Sequence, residues 1–153
     1  MKSANPRPLK KFSDLNGYDK VILTGGEPML DADRVINIAT SIRFHSHCKI
    51  YLYTAYHKND WDLERVLQQV DGIHYSLHAE ATGVDIFDFE CFQQRIQTWA
   101  DVKSFRLFVD NKIKCAVHVR PNTWQQVEFK PWLSEAELLA KSQSMQSDLF
   151  ILE

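Results

Sequence analysis

Lys20-Val21-Ile22-Leu23-Thr24-Gly25-Gly26-Glu27-Pro28 (KVILTGGEP, residues 20–28) decides the fold of this chain. The apolar run Lys20 to Thr24 is short, β-branched and closed by two glycines. It reads as a strand buried on both faces, as strands of parallel sheets are. Gly25-Gly26 lets the backbone turn sharply and come close to a ligand. Asp31 can then cap a helix over roughly 32–44, with Val35, Ile36, Ile38, Ala39 and Ile42 on its apolar side.

The same unit recurs downstream. Lys49 to Tyr56 (KIYLYTAY) reads as a second strand, and Asp60 caps a helix whose apolar face is Leu63, Val66, Leu67 and Val70. Gly72 to Leu77 (GIHYSL) reads as a third strand. Residues 85–102 form an amphipathic helix with Phe89, Phe92, Ile96 and Trp99 near one stripe. Strands alternating with helices predict an α/β fold, a parallel sheet with right-handed crossovers. Ahead of this core, residues 1–17 read as an irregular lead-in with Pro6, Pro8 and the turn signal Asn16-Gly17.

After residue 104 the pattern changes. Ser104 to Arg120 (SFRLFVDNKIKCAVHVR) holds two apolar runs separated by Asp110-Asn111-Lys112, with no room for a helix between them. A tight antiparallel hairpin is the expectation. Ser134 with Glu137 makes a capping box for a C-terminal helix to about Met145. Residues 148–153 end the chain as a short edge strand or an irregular tail. Trp124 and Trp132 flank Val127 and Phe129; core packing is the simpler reading and a partner surface the other.

Composition bounds the function. The chain has 153 residues, 44% hydrophobic and 25% charged, as expected of one globular domain spanning 1–153. A formal net charge of −2 shows no global basic excess of the kind that implies nucleic-acid binding. No apolar run approaches membrane-spanning length and the first residues lack a secretory signal's apolar stretch, so a cytoplasmic location is expected. Cys48, Cys91 and Cys115 are too scattered for a disulfide framework and read as three buried thiols. His45-Ser46-His47-Cys48 is the densest group of soft ligands, but no fourth ligand is evident. Histidines at a helix C-terminus also suit the helix dipole, so no metal site is assigned. His74 and His78 lie on one side of their strand; a satisfied, buried role suits His74, and His78 at the strand's end is a site candidate.

Thr24-Gly25-Gly26-Glu27-Pro28, after a strand and before a helix, resembles the Gly-Gly-Glu-Pro segment of the radical S-adenosylmethionine (SAM) superfamily. The next strand ends in Tyr53-Thr54 and the one after in Ser76-Leu77-His78-Ala79, endings also found in that family. The resemblance covers residues 18–104, leaving 105–153 for the hairpin and C-terminal helix. It implies part of a (β/α) barrel whose rim, at the carboxyl ends of the strands, binds SAM through Gly25, Gly26, Glu27, Pro28, Thr54, Ser76 and His78. The glycine carbonyls would meet the methionine ammonium and Glu27 would add negative charge beside it. Arg106 on the following strand is a weaker candidate for the carboxylate.

The family's [4Fe–4S] cluster needs three cysteines in Cys-x3-Cys-x2-Cys spacing. No cysteine precedes Val21, and the twenty residues before it are too few for the first strand, cluster loop and first helix. The expectation is therefore a protein incomplete for radical chemistry alone. It would be the SAM-binding portion of a split enzyme whose partner polypeptide carries the iron–sulfur ligands, or a degenerate binding module. A chain lacking its N-terminal part is the third reading. Open edge strands favour pairing with another chain or a homo-oligomer. The substrate is not readable from these residues.

Overall fold

The computed structural model describes residues 7–131 and 150–151. Strand β1 (Arg7–Pro8) precedes a 3-10 turn at Phe12–Leu15. The core then runs β2 (Lys20–Leu23), α1 (Ala32–His45), β3 (Lys49–Thr54), α2 (Asp60–Leu67), β4 (Gly72–Leu77), α3 (Gly83–Ile96), β5 (Ser104–Asp110) and β6 (Gln126–Lys130). A last strand, β7 (Phe150–Ile151), pairs in parallel with β1. The main sheet has five strands in the order β2-β3-β4-β5-β6, all parallel. Its two edges, β2 and β6, do not meet, so the sheet is open.

The local signals explain most of this. Asp31 caps α1 by accepting from Arg34 N at 3.1 Å. Arg43 near the far end of α1 suits the negative pole of the helix dipole and binds Gln69 O and Asp71. The cap of α2 is Asn59 rather than Asp60: its Oδ1 accepts from Trp61 N at 2.8 Å and Asp62 N at 3.2 Å. Asp60 turns to His57 and Arg95 instead. Thr82 and Asp85 form a capping box that starts α3 at Gly83, two residues before the expected boundary.

Strands that follow one another in sheet order place their crossover helices on one face. That face buries Ile50, Leu52, Ile73, Tyr75, Leu77, Phe105 and Leu107, each 2% exposed or less, against Val35, Ala39, Ile42, Leu63, Val66, Phe89 and Phe92. Burying each large apolar side chain contributes about 1.5–3 kcal/mol. The alternate strand residues, among them Ile22, Tyr53, His74 and Arg106, face away from the helices.

The expected antiparallel hairpin does not form. Asp110-Asn111-Lys112 does turn, with Lys112 N on Asp110 Oδ1 at 2.9 Å and Ile113 N on Asp110 O at 3.1 Å. The chain then leaves the sheet. Residues 113–119 alternate half-buried and exposed, as a strand would, but are not part of a strand. They lie along α3, and Ile113, Val117 and Val119 pack on the core. The chain re-enters the sheet as β6, parallel to β5. Thus residues 111–125 form an irregular crossover, a strap in place of a helix.

Gln93 of α3, fully buried, makes this possible. Its Nε2 donates to His118 O at 2.9 Å, and its Oε1 accepts from Arg120 N at 3.0 Å and Trp124 Nε1 at 2.8 Å. One side-chain amide supplies bonds that a neighbouring strand would otherwise give. Trp124 stacks between Phe89 and Phe92 at 5.9 and 6.0 Å, as core packing predicts for it. The expected C-terminal helix and Trp132 lie outside the described residues.

Candidate functional site

The loop after β2 reaches the carboxyl ends of the parallel strands, where ligands of open α/β sheets bind. Gly25 and Gly26 both have positive φ, 93° and 56°, and both are exposed. A Cβ built at either position would meet nothing within 4 Å. The glycines are therefore required by backbone conformation, not by crowding from the protein, and the space over them is open.

Glu27 caps the 3-10 turn Pro28–Asp31, with Pro28 at its first position. Its carboxylate is heavily engaged. Oε2 accepts from Met29 N at 2.8 Å and from Thr54 Oγ1 at 2.7 Å, and Oε1 accepts from Ala55 N at 2.6 Å. Thr54 is the last residue of β3 and is 4% exposed; its hydroxyl also accepts from Tyr56 N at 3.1 Å. The carboxylate thus clamps the Gly-Gly loop to the end of β3.

The other candidates are spread over two sides of the sheet. Thr54 lies on the helix side with Ile50 and Leu52, whereas Ser76 shares the opposite face with His74. His78 lies just beyond β4, half-buried, where its carbonyl accepts from Ala81 N at 3.1 Å. Arg106 pairs in register with His74, and Ser76 with Phe108. Arg106 therefore sits two residues below the level of Ser76, away from the rim. The structure joins Gly25, Gly26, Glu27, Pro28 and Thr54 into one unit, while Ser76 lies on the other face of the sheet and Arg106 lower on that face.

The sequence reading missed His57, in the loop between β3 and α2. It is 5% exposed, its Nε2 lies 2.8 Å from Asp60 Oδ1, and its ring meets Phe92 edge-on at 5.7 Å. Its Nδ1 is buried with no hydrogen-bond partner among the described residues. Burial lowers its pKa below the usual histidine value, against the opposing pull of Asp60. A lone histidine three residues past a strand carries no pattern, so only the packing reveals it.

The soft-ligand groups do not converge. Cys48 is buried, with its thiol against Leu15 O at 3.2 Å and Tyr18 O at 3.0 Å. His45 stacks on Phe12 at 6.2 Å. Cys91 and Cys115 are half-buried, not buried as expected. Among the described residues no group of three His, Cys, Asp or Glu side chains is placed to hold a metal ion. An open hollow of about 720 Å³, lined by Asn16–Asp19 and Arg43–Lys49, lies at the opposite, amino-terminal end of the strands. It is remote from the Gly-Gly loop, and the topology argues against it as the main site.

Comparison with known proteins found no matching family model, curated protein or solved structure. Among the described residues no helix is long and apolar enough to cross a membrane.

Proposed function

We propose that this chain is the SAM-binding portion of a split radical SAM enzyme, its sheet corresponding to part of the (β/α) barrel. The observation that carries this reading is the pair of left-handed glycines, exposed and facing open space at the carboxyl ends of a parallel sheet. Backbone carbonyls in such a loop can approach an ammonium group closely. Gly25 and Gly26 would hold the methionine amino group, and Glu27, Pro28 and Thr54 would fix the loop that presents it. Ser76 and His78 would contribute from the neighbouring strand end. SAM would supply the adenosyl group for radical formation. The cysteines do not fit a [4Fe–4S] site: Cys48 is turned into the core. The cluster ligands would come from a partner polypeptide.

A second reading is favoured by the Glu27 clamp. A carboxylate already accepting from Met29, Thr54 and Ala55 serves loop structure, as in a degenerate module that binds without radical chemistry.

Calorimetric titration with SAM, with S-adenosylhomocysteine as the comparison, tests the site. Gly26→Ala places a methyl group in open space and costs about 1–2 kcal/mol of backbone strain. The expected outcome is saturable SAM binding that Gly26→Ala removes while the far-UV circular dichroism spectrum stays unchanged. Equal binding by both proteins would show that the loop is not the site. No binding by either would favour the degenerate module.

A further inference from the structure

The formal net charge of −2 conceals an uneven balance of charge between the two faces of the sheet, each of which carries both signs. The helix layer carries seven carboxylates, Asp33, Asp60, Asp62, Glu64, Asp85, Asp88 and Glu90, against four arginines, Arg34, Arg43, Arg65 and Arg95. The opposite face carries Lys20, Lys49, Arg106 and Lys130, with the carboxylate Glu128 paired to Lys130 and facing Tyr53 and His74, and Asp110 buried at the end of β5. Strand pairing in register places Lys20 beside Lys49 and Ile22 beside Tyr51. It then places Tyr53 beside His74, and His74 beside Arg106. Lysines therefore stand at one corner, an arginine stands diagonally across, and aromatic rings lie between them.

The rings are already organised. Tyr53 and His74 have centroids 4.5 Å apart, and Tyr53 remains 39% exposed. Tyr51 and Tyr53 share a face of β3, two residues and about 6.6 Å apart. Lys49 and Arg106 are separated by two strand spacings and four residue rises, roughly 16 Å on the diagonal. That is too far for one phosphate to meet both cations, and it suits a chain of phosphates. Burial keeps the His74 pKa below the usual value, so its ring is a neutral stacking partner at pH 7.

We infer that this face binds single-stranded nucleic acid, with Tyr51, Tyr53 and His74 stacking bases and Lys20, Lys49 and Arg106 meeting phosphates. Aromatic platforms bordered by cations bind single strands with little sequence preference, because every base offers a flat face. A duplex hides those faces. The inference does not rest on SAM binding at the rim, because the two sites share no residue.

Fluorescence anisotropy of labelled oligouridylate and oligothymidylate, with a duplex of the same length, tests it. Saturable binding to one or both single strands, tighter than to duplex, is expected. With three phosphates neutralised, the slope of log K against log salt should be roughly −2. Tyr53→Ala should weaken binding roughly tenfold through lost stacking. Arg106→Gln should weaken it and make the salt slope shallower by roughly 0.7. Trp61→Ala, on the helix layer and 70% exposed, should change nothing. Thermal unfolding would establish that each variant is folded. The inference is overturned by no saturable binding to either single strand at low salt, by duplex binding equal to single-strand binding, or by folded Tyr53 and Arg106 variants that bind like the parent.

Discussion

The two crossovers that flank β5 solve the same problem by different means. Between β4 and β5 the chain crosses as α3, which satisfies its backbone groups internally. Between β5 and β6 it crosses as the strap 111–125, which cannot do so. The strap borrows partners from α3, chiefly the amide of Gln93. The difference teaches that a parallel strand can follow without a helix when a buried side chain stands in for the missing backbone ladder. It also gives α3 two unlike flanks. One is held to the strap chiefly by the neutral amide of Gln93, with a single long ion pair, Arg120 to Glu90 at 3.8 Å, beside it. The other is held to α2 by ionisable groups: Asp60 with His57 and Arg95, Asp88 with Lys58, and Glu64 with Arg95 and Trp99.

The largest expected effect comes from removing the amide. Gln93→Leu keeps the side chain's approximate volume but leaves His118 O, Arg120 N and Trp124 Nε1 without that partner. Stranding a buried polar group costs about 1–3 kcal/mol, so the three together should cost roughly 3–5 kcal/mol once the strap relaxes. Urea unfolding measures it. Gln94→Leu, one residue on and exposed, should stay within about 0.5 kcal/mol of the parent. A loss below about 1 kcal/mol for Gln93→Leu would mean that the strap is held by apolar packing alone.

A smaller effect should separate the flanks by pH. His57 faces Asp60, Asp88 and Arg95, and burial holds its pKa below the unfolded value of about 6.5. The native state therefore binds fewer protons than the unfolded state between those two pKa values. Stability is full above about pH 6.5 and falls as the pH drops toward the native pKa. His74, depressed in the same direction, adds to the slope. In hydrogen exchange at pH 5 the amides of α2 should lose protection before those of α3 that face the strap. Uniform loss across both helices would show that α2 and the strap unfold as one unit.

The repeated strand–helix units were legible because each rests on neighbouring residues: an apolar run, a cap, a stripe. Asp31 as the cap of α1 needed only its own position before that stripe. The strap was not legible for a definite reason. Ile113, Val117 and Val119 alternate in burial as a strand does, and period-two patterning reports one buried side without naming what covers it. Here α3 covers it, through a glutamine that looks like an ordinary surface residue of an amphipathic helix. At the rim, the glycine turn was readable from Gly25-Gly26. The use of Glu27 as a clamp on Thr54 and Ala55 was not, because it depends on two strand ends meeting.

The smallest expected effect isolates the strap's own conformational demand. Before re-entering the sheet the chain turns at Asn122, the one non-glycine residue with positive φ (60°) among the described residues. Asn122 is exposed, so its substitution removes little packing and reads mainly the backbone. Alanine in the left-handed region costs about 1–2 kcal/mol relative to glycine, and asparagine lies between them. Asn122→Ala should therefore lower stability by about 0.5–1 kcal/mol, while Asn122→Gly should be nearly neutral, its easier turn offset by a more flexible unfolded chain. Urea midpoints for the pair measure the difference. Because the helical crossover through α3 contains no such residue, a matched pair at exposed Gln94 should show the opposite order, with alanine better than glycine by roughly 1 kcal/mol. If glycine were also the worse residue at 122, the turn would not hold its left-handed conformation in solution, and the strap's entry into β6 would have to be set by Trp124 and Gln93 alone.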